Sequence, residues 1–207
     1  MYLGSLINQQ YQSHSFKMTM NALTSYIETF VNLNPVESTS FTELFSEIHL
    51  KKDDYFAVEG EFSSTLCFLN EGVMRAFYRN SSGKEYNKTF FTNSNFVAAY
   101  VSITTKQRNA INIQCLTDCT VLIADYGKIT ALYGKFPKIE RLARKLAEYK
   151  FAIKEKREIE LATLDATERY GIFRKEHPGL ENRINQYHIA SYLSISPTQL
   201  SRIRSKI

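Results

Sequence analysis

Gln186–Arg204 holds the residues whose types and spacing could do chemistry, and that chemistry is recognition of a polyanion. Ile189 and Leu193 lie four apart, as on the buried face of a helix, and Ala190 is small where a second helix must cross closely. Ser194-Ile195-Ser196 reads as a tight connection with Ile195 pointing inward. Ser196 can cap a following helix whose first position is Pro197, where a missing N–H costs nothing. Leu200 and Ile203 of that helix face back to the core, and the outward face carries Thr198, Gln199, Ser201, Arg202, Ser205 and Lys206, with Arg204 alongside and no acid. Polar donors near a helix N-terminus reach base edges, while Arg and Lys neutralise phosphates. This is the layout of a helix-turn-helix, whose second helix enters the major groove, set against the plainer reading of a helical hairpin with a solvated face. The candidate DNA-binding residues are Ser196, Thr198, Gln199, Ser201, Arg202, Arg204 and Lys206, with Arg202 the candidate for a guanine edge.

Charge supports a polyanion at this end. The chain of 207 residues has a net charge of +5, with 14 basic and 8 acidic side chains in residues 141–207 against 12 and 13 in residues 1–140. No nucleophile elbow, P-loop or Cys-His arrangement is present, so no residue is assigned a catalytic role. Only His49 lies among the expected strands, which speaks against the clustered His ligands of a cupin-like enzyme, and no metal site is expected. Cys67, Cys115 and Cys119 are too few and too scattered for a disulfide framework or an iron–sulfur cluster; Cys67 and Cys115 read as core filler, and Cys115–Cys119, which brackets a turn, as a remote candidate redox pair. With 43% hydrophobic and 23% charged residues the composition is globular, no run is long and apolar enough for a membrane span, and no secretion signal is visible. A cytoplasmic location is expected.

The elements that must position the terminal motif follow from periodicity. Residues 1–21 read as a polar arm. Short amphipathic helices are expected in Leu23–Leu33 and Thr42–Glu47, separated by Pro35. From His49 to about Tyr126, short segments rich in β-branched and aromatic residues alternate with turns, the pattern of an antiparallel sandwich or roll. Ile111, Ile113 and Cys115 share one face, and Val121 and Ile123 resume it after a turn at Thr117-Asp118. After Pro137, Ile139, Leu142, Leu146, Tyr149 and Ile153 recur at steps of three and four on a stretch free of Gly and Pro to Tyr170, which predicts a long helix. That seam can pack on the roll or pair with its copy in a dimer, and its heptad regularity favours the dimer. A further helix, Ala166–Lys175, stops before Pro178-Gly179.

Taken from about residue 22 to 207, the chain resembles the CRP/FNR family of bacterial transcription regulators. The residues that carry the resemblance are Val58-Glu59-Gly60-Glu61, Leu66–Val73 with Gly72, Ser82-Gly83-Lys84-Glu85, Asn95-Phe96-Val97 and the terminal helix-turn-helix. The resemblance implies an α+β fold: an antiparallel β-roll of the double-stranded β-helix or jelly-roll type (22–137), a dimerisation helix (138–164) and a winged-helix-like DNA-binding domain (165–207). It also implies a ligand cassette in which a Gly-Glu pair holds a ribose and an Arg-Ser or Arg-Thr pair holds a cyclic phosphate. This chain departs there: Val97 is followed by Ala98-Ala99, and Asn109-Ala110 stands at the second pair, with Arg108 one residue off. An anion in a half-buried pocket needs charge-assisted partners, so cyclic AMP is not expected, and an unknown effector or side chains such as Tyr100 and Ile103 could occupy the space. The wing that usually follows the recognition helix is missing from the sequence, which would leave phosphate contacts to Arg202, Arg204 and Lys206 and to Arg169 or Arg183.

These readings imply a homodimeric, sequence-specific regulator of double-stranded DNA without a cofactor, which would meet RNA polymerase if it is an activator. The alternative is an interaction module in which the roll docks another protein and the terminal helices are scaffold.

Overall fold

Alternating apolar positions between His49 and Tyr126 form two four-stranded antiparallel sheets. A computed structural model describes residues 17–206. The strands are β1 (Ser46–Leu50), β2 (Tyr55–Ala57), β3 (Thr65–Glu71), β4 (Met74–Arg79), β5 (Glu85–Phe91), β6 (Asn95–Val97), β7 (Asn112–Cys115) and β8 (Cys119–Asp125). They are ordered β1-β8-β3-β6 in one sheet and β2-β7-β4-β5 in the other. Between the sheets lie Cys67, Leu69, Met74, Ala76, Val97, Ile113, Cys115 and Val121, so the expected shared face of β7 and β8 is the roll's interior. The three thiols are free and buried there. Gly72, which turns β3 into β4, has φ +115°, and a Cβ there would stand 2.5 Å from Cys119 Sγ and 2.7 Å from the Asp118 carbonyl, so only glycine fits.

The helices are α1 (residues 17–28), α2 (Pro35–Thr42), α3 (Tyr100–Thr105), α4 (Tyr126–Ala131), α5 (Pro137–Thr163), α6 (Ala166–Glu176), α7 (Gln186–Tyr192) and α8 (Pro197–Arg204). Two expectations are corrected near the front of the chain. Residues 17–21 are helical, with Thr19 buried, rather than part of an arm; residues 1–16 of that arm lie outside the described residues. Pro35 opens a helix instead of separating two, because Asn34 and Glu37 form a capping box around it: Glu37 N donates to Asn34 Oδ1 (2.9 Å) and Asn34 N to Glu37 Oε2 (2.8 Å). The helix expected at Thr42–Glu47 is therefore the end of α2 and the start of β1.

Two further cores fix how the helices sit. Leu23, Ile27, Phe41, Phe45 and Ile129 pack with Ile139 and Leu142 of α5 on the outer face of the first sheet, at Phe68 and Leu122. On the second sheet's side, Val73, Phe90 and Leu116 of the roll are buried together with Tyr170, Phe173, Leu180, Ile189, Tyr192, Leu193 and Leu200 of the terminal helices. Each such large side chain removed from water contributes about 1.5–3 kcal/mol. The helix-turn-helix thus shares its core with the roll and is not suspended from it.

Candidate nucleic-acid interface and the roll cassette

The α7–α8 unit is built by local capping. Asn185 accepts from Tyr187 N at the start of α7 (2.8 Å). At its end, Ile195 N donates to the Ala190 carbonyl (3.0 Å) and Ser194 N to the Ser191 carbonyl (3.2 Å), with Ser194 in the left-handed region at φ 57°. That pair of bonds is a Schellman stop, here with serine where glycine is the usual residue. Ser196 Oγ then accepts from Gln199 N (3.1 Å), and Gln199 Oε1 accepts from Ser196 N (3.0 Å), a second capping box with Pro197 at the first helical position.

Leu200 is buried and Ile203 half-buried against the shared core, while Thr198, Gln199, Ser201, Arg202, Arg204 and Lys206 are exposed. Among the described residues no ion pair includes Arg202, Arg204 or Lys206. Their charges are therefore free for a polyanion. Ser196 and Gln199 cap each other, so Thr198, Ser201 and the three cations form the uncommitted part of this face.

What holds α7 in place was not visible in the sequence. Arg75 in β4 is only 4% exposed. Its Nη1 donates to Glu85 Oε2 (2.7 Å), Asn87 Oδ1 (3.2 Å) and His188 Nδ1 (3.2 Å), and its Nε and Nη2 both donate to Gln114 Oε1 (3.0 and 2.7 Å). The guanidinium lies 3.8 Å over the Phe77 ring. Asn87 Nδ2 donates to the His188 carbonyl (3.2 Å), Asn87 N donates to Ser191 Oγ (3.0 Å), and Ser191 Oγ donates to the Glu85 carbonyl (3.0 Å). A register shift in the β4–β5 ladder between Ala76 and Phe77, where Thr89 and Asn87 are the successive partners, leaves Lys88 extra and puts Asn87 beside Arg75.

Burial, reinforced by the Arg75 guanidinium, lowers the His188 pKa to about 4, so its imidazole is neutral near pH 7 and can accept from arginine. Burial pushes Glu85 up, but hydrogen bonds from Arg79 and Arg75 outweigh it and hold the carboxyl below its ordinary range. The far end of α7 is held by two more arginines. Arg157 of α5 donates to the Tyr192 carbonyl and lies 4.0 Å over that ring, and Arg169 Nε donates to the Leu193 carbonyl (3.2 Å). Arg169, expected as a phosphate contact, is thus committed to carbonyls, including that of Leu164; Arg183 is exposed. The one signal for this network was an arginine inside the otherwise apolar run Met74–Phe77, since a buried charge must find partners.

The roll cassette is stapled by its own side chains. Val97 and Ala99 are buried, Ala98 is half-buried, and Ala110 is exposed. Asn109, 5% exposed, donates from Nδ2 to the Val58 carbonyl (3.0 Å) and Ser63 Oγ (2.9 Å), while its backbone exchanges bonds with Glu61 and Gly60. Arg108 Nη1 donates to the Gly60 carbonyl (2.7 Å), and its guanidinium sits 4.7 Å over Phe62, so this arginine is engaged with the neighbouring loop. Ile103 is buried in α3 as expected of a filler, but Tyr100 points outward and is exposed.

The α5 seam divides. Ile139 and Leu142 are 1% exposed in the chain's own core and offer no surface to a partner, while half-buried Leu146 packs against that core. Tyr149 and Ile153, at 48% and 46%, remain exposed, and so do Phe151 and Ile159 on other sides of the helix.

Residues 47–135 match the family described as cyclic nucleotide-binding domain. The search of curated proteins finds no match. Among solved structures, FixK2 from Bradyrhizobium japonicum aligns with a TM-score of 0.69 at 16% identity, covering 78% of this chain and 83% of that one. The c-di-GMP responsive global regulator CLP from Xanthomonas campestris aligns at 0.65 and 14% identity over 81% and 88%. A protein from Eubacterium rectale described as a transcriptional regulator of the crp/fnr family aligns at 0.63 and 14% identity over 83% and 82%.

Proposed function

We propose that the protein is a sequence-specific, DNA-binding transcription regulator acting as a homodimer; what supports this is that residues 47–135 match the cyclic nucleotide-binding domain family and that about four-fifths of the chain aligns with solved structures that include a crp/fnr-family regulator. The observation that carries this reading is the outward face of α8, where Arg202, Arg204 and Lys206 are exposed and, among the described residues, unpaired with acids, on a helix whose inner face is seated in the shared core. In a two-fold dimer each α8 enters one of two successive major grooves, about 34–36 Å apart. Thr198, Ser201 and Arg202 reach base edges, Arg204 and Lys206 neutralise phosphates, and a bidentate Arg202–guanine contact gives about 1–3 kcal/mol of discrimination.

The dimer forms along α5 through Tyr149 and Ile153, side chains that this chain leaves about half exposed, Tyr149 with its ring edge against Phe30. No cyclic nucleotide is required, because Asn109 and Arg108 are engaged with the cassette's own loops and no aligned cation is left for a phosphate. The protein works in the cytoplasm, without a membrane or metal partner, and touches RNA polymerase if it activates; no helix among the described residues is long and apolar enough to cross a membrane.

The test is selection of bound duplexes from a random library by the purified full chain without added ligand, at low and moderate salt. Enrichment of a two-fold symmetric motif is expected. No enrichment from folded protein overturns DNA reading. Ile153→Glu is expected to yield monomers by sedimentation at micromolar protein, and an unchanged coefficient overturns this interface.

A further inference from the structure

From the polar joint between the roll and α7, we infer that Arg75 is a positioning residue for DNA reading: with Glu85 and Asn87 it grips His188 and Ser191 and fixes the helix-turn-helix in one orientation relative to the roll. This rests on the proposed DNA-binding function. Three features of the joint support it. It is the polar centre of a seam otherwise closed by Phe90, Val73 and Leu116 against the terminal helices, with the roll on one side and α7 on the other. Its directional bonds run to one face of α7 alone, at His188 and Ser191, one turn apart. Apolar packing tolerates sliding, whereas a guanidinium with several fixed acceptors accepts one register.

The joint also leaves the reading face open. Thr198, Ser201, Arg202, Arg204 and Lys206 are exposed while α7 is gripped, so docking does not mask the DNA surface. The joint therefore acts as an orienting clamp. In a dimer it sets the separation and tilt of the two recognition helices.

The experiment compares the full-length chain with Arg75→Met and Ser191→Ala, the second a milder change that also lies off the reading face. Each is titrated with duplexes carrying the selected half-sites at the selected spacing, and with spacings changed by a few base pairs. Both variants are expected to keep the half-site sequence preference and the salt dependence, since no base or phosphate contact is removed. Affinity at the selected spacing is expected to fall about tenfold as the competent orientation drops to about a tenth of the population. The penalty for wrong spacings should shrink, which partial unfolding would not do. In parallel, amide hydrogen exchange in 187–193 of the free proteins should quicken in both variants.

Unchanged spacing selectivity in both variants, or tighter binding, which would make the joint an inhibitory clasp, overturns the inference. Should the wild-type chain select no DNA, the proposed function has failed, and exchange alone decides the joint: faster exchange of α7 upholds the clamp, and unaltered exchange removes it.

Discussion

The two faces of the helix-turn-helix treat charge in opposite ways. On the outward face of α8, Arg202, Arg204 and Lys206 are exposed and, among the described residues, have no acidic partner. On the inward face of α7, the Arg75 guanidinium is buried and its acceptors are side chains of β5, β7 and α7. An unpaired surface cation costs little and is available to an anion. A buried cation is tolerated only when paired, and then it specifies geometry more than it adds stability. The sheet side of the motif therefore sets where it points, and the solvent side sets what it can bind.

The sharpest way to break that contrast is to remove one arginine from each side. Arg75→Ala leaves Asn87 and Gln114 without their guanidinium partner and Glu85 with Arg79 alone, and is expected to cost about 2–3 kcal/mol of stability in chemical denaturation. Arg202→Ala removes an exposed, unpaired group and should change stability by less than about 0.5 kcal/mol. The effects reverse in DNA binding, where Arg202→Ala is expected to lose about 1–3 kcal/mol of preference between the selected duplex and one with the contacted guanine replaced. Similar stability costs for the two variants would mean that Arg75 is not the hub described here.

A smaller effect comes from protons. His188 has a folded-state pKa of about 4 against an ordinary 6.5, so between these values the unfolded chain binds a proton that the folded chain refuses. Stability is therefore lost as pH falls from about 6.5 toward 4, by about 1–2 kcal/mol for a group of this partial burial. His177, held low by burial, pushes the same way in this range, whereas Glu85, held low by its arginines, does so only below the ordinary carboxylate value. The expected measurement is a falling denaturation midpoint between pH 7 and 5 that flattens in His188→Gln. An equal slope in the variant would assign the acid sensitivity to the other groups.

The same division explains what could be read from the sequence. Every feature of α8 is local: Ser196 caps, Pro197 starts, and Leu200 returns to the core within one or two turns, so residue type and spacing specify them. The residues at the expected cassette positions, Ala98-Ala99 and Asn109-Ala110, were also legible, because they are identities in the sequence. The clamp was not, since Arg75 meets Gln114 and His188 across 39 and 113 residues of chain, and no local pattern encodes that pairing. The α5 periodicity marked an apolar stripe correctly but could not tell that the chain's own core covers Ile139 and Leu142 and leaves Tyr149 and Ile153 about half exposed. At Pro35 the proline outweighed the Asn34–Glu37 capping box beside it, although a proline at the first helical position is a start signal.

The smallest expected effect lies at the turn that joins the two faces. Ser194 is exposed and sits at φ 57° in the Schellman stop between α7 and α8. A non-glycine residue there costs about 1–2 kcal/mol of left-handed strain, while glycine would add about 0.4–1 kcal/mol of unfolded-chain entropy. The first figure is the larger, so Ser194→Gly is expected to stabilise by about 0.5 kcal/mol, or about 1–2 °C in the thermal midpoint of a chain this size. Because neither the Arg75 joint nor the α8 cations change, affinity and spacing selectivity should stay at wild-type values. A lower midpoint would show that the serine side chain holds the turn. An altered spacing preference would show that part of the orientation attributed to Arg75 resides in the turn, and the contrast between a positioning face and a reading face would have to be redrawn around Ser194.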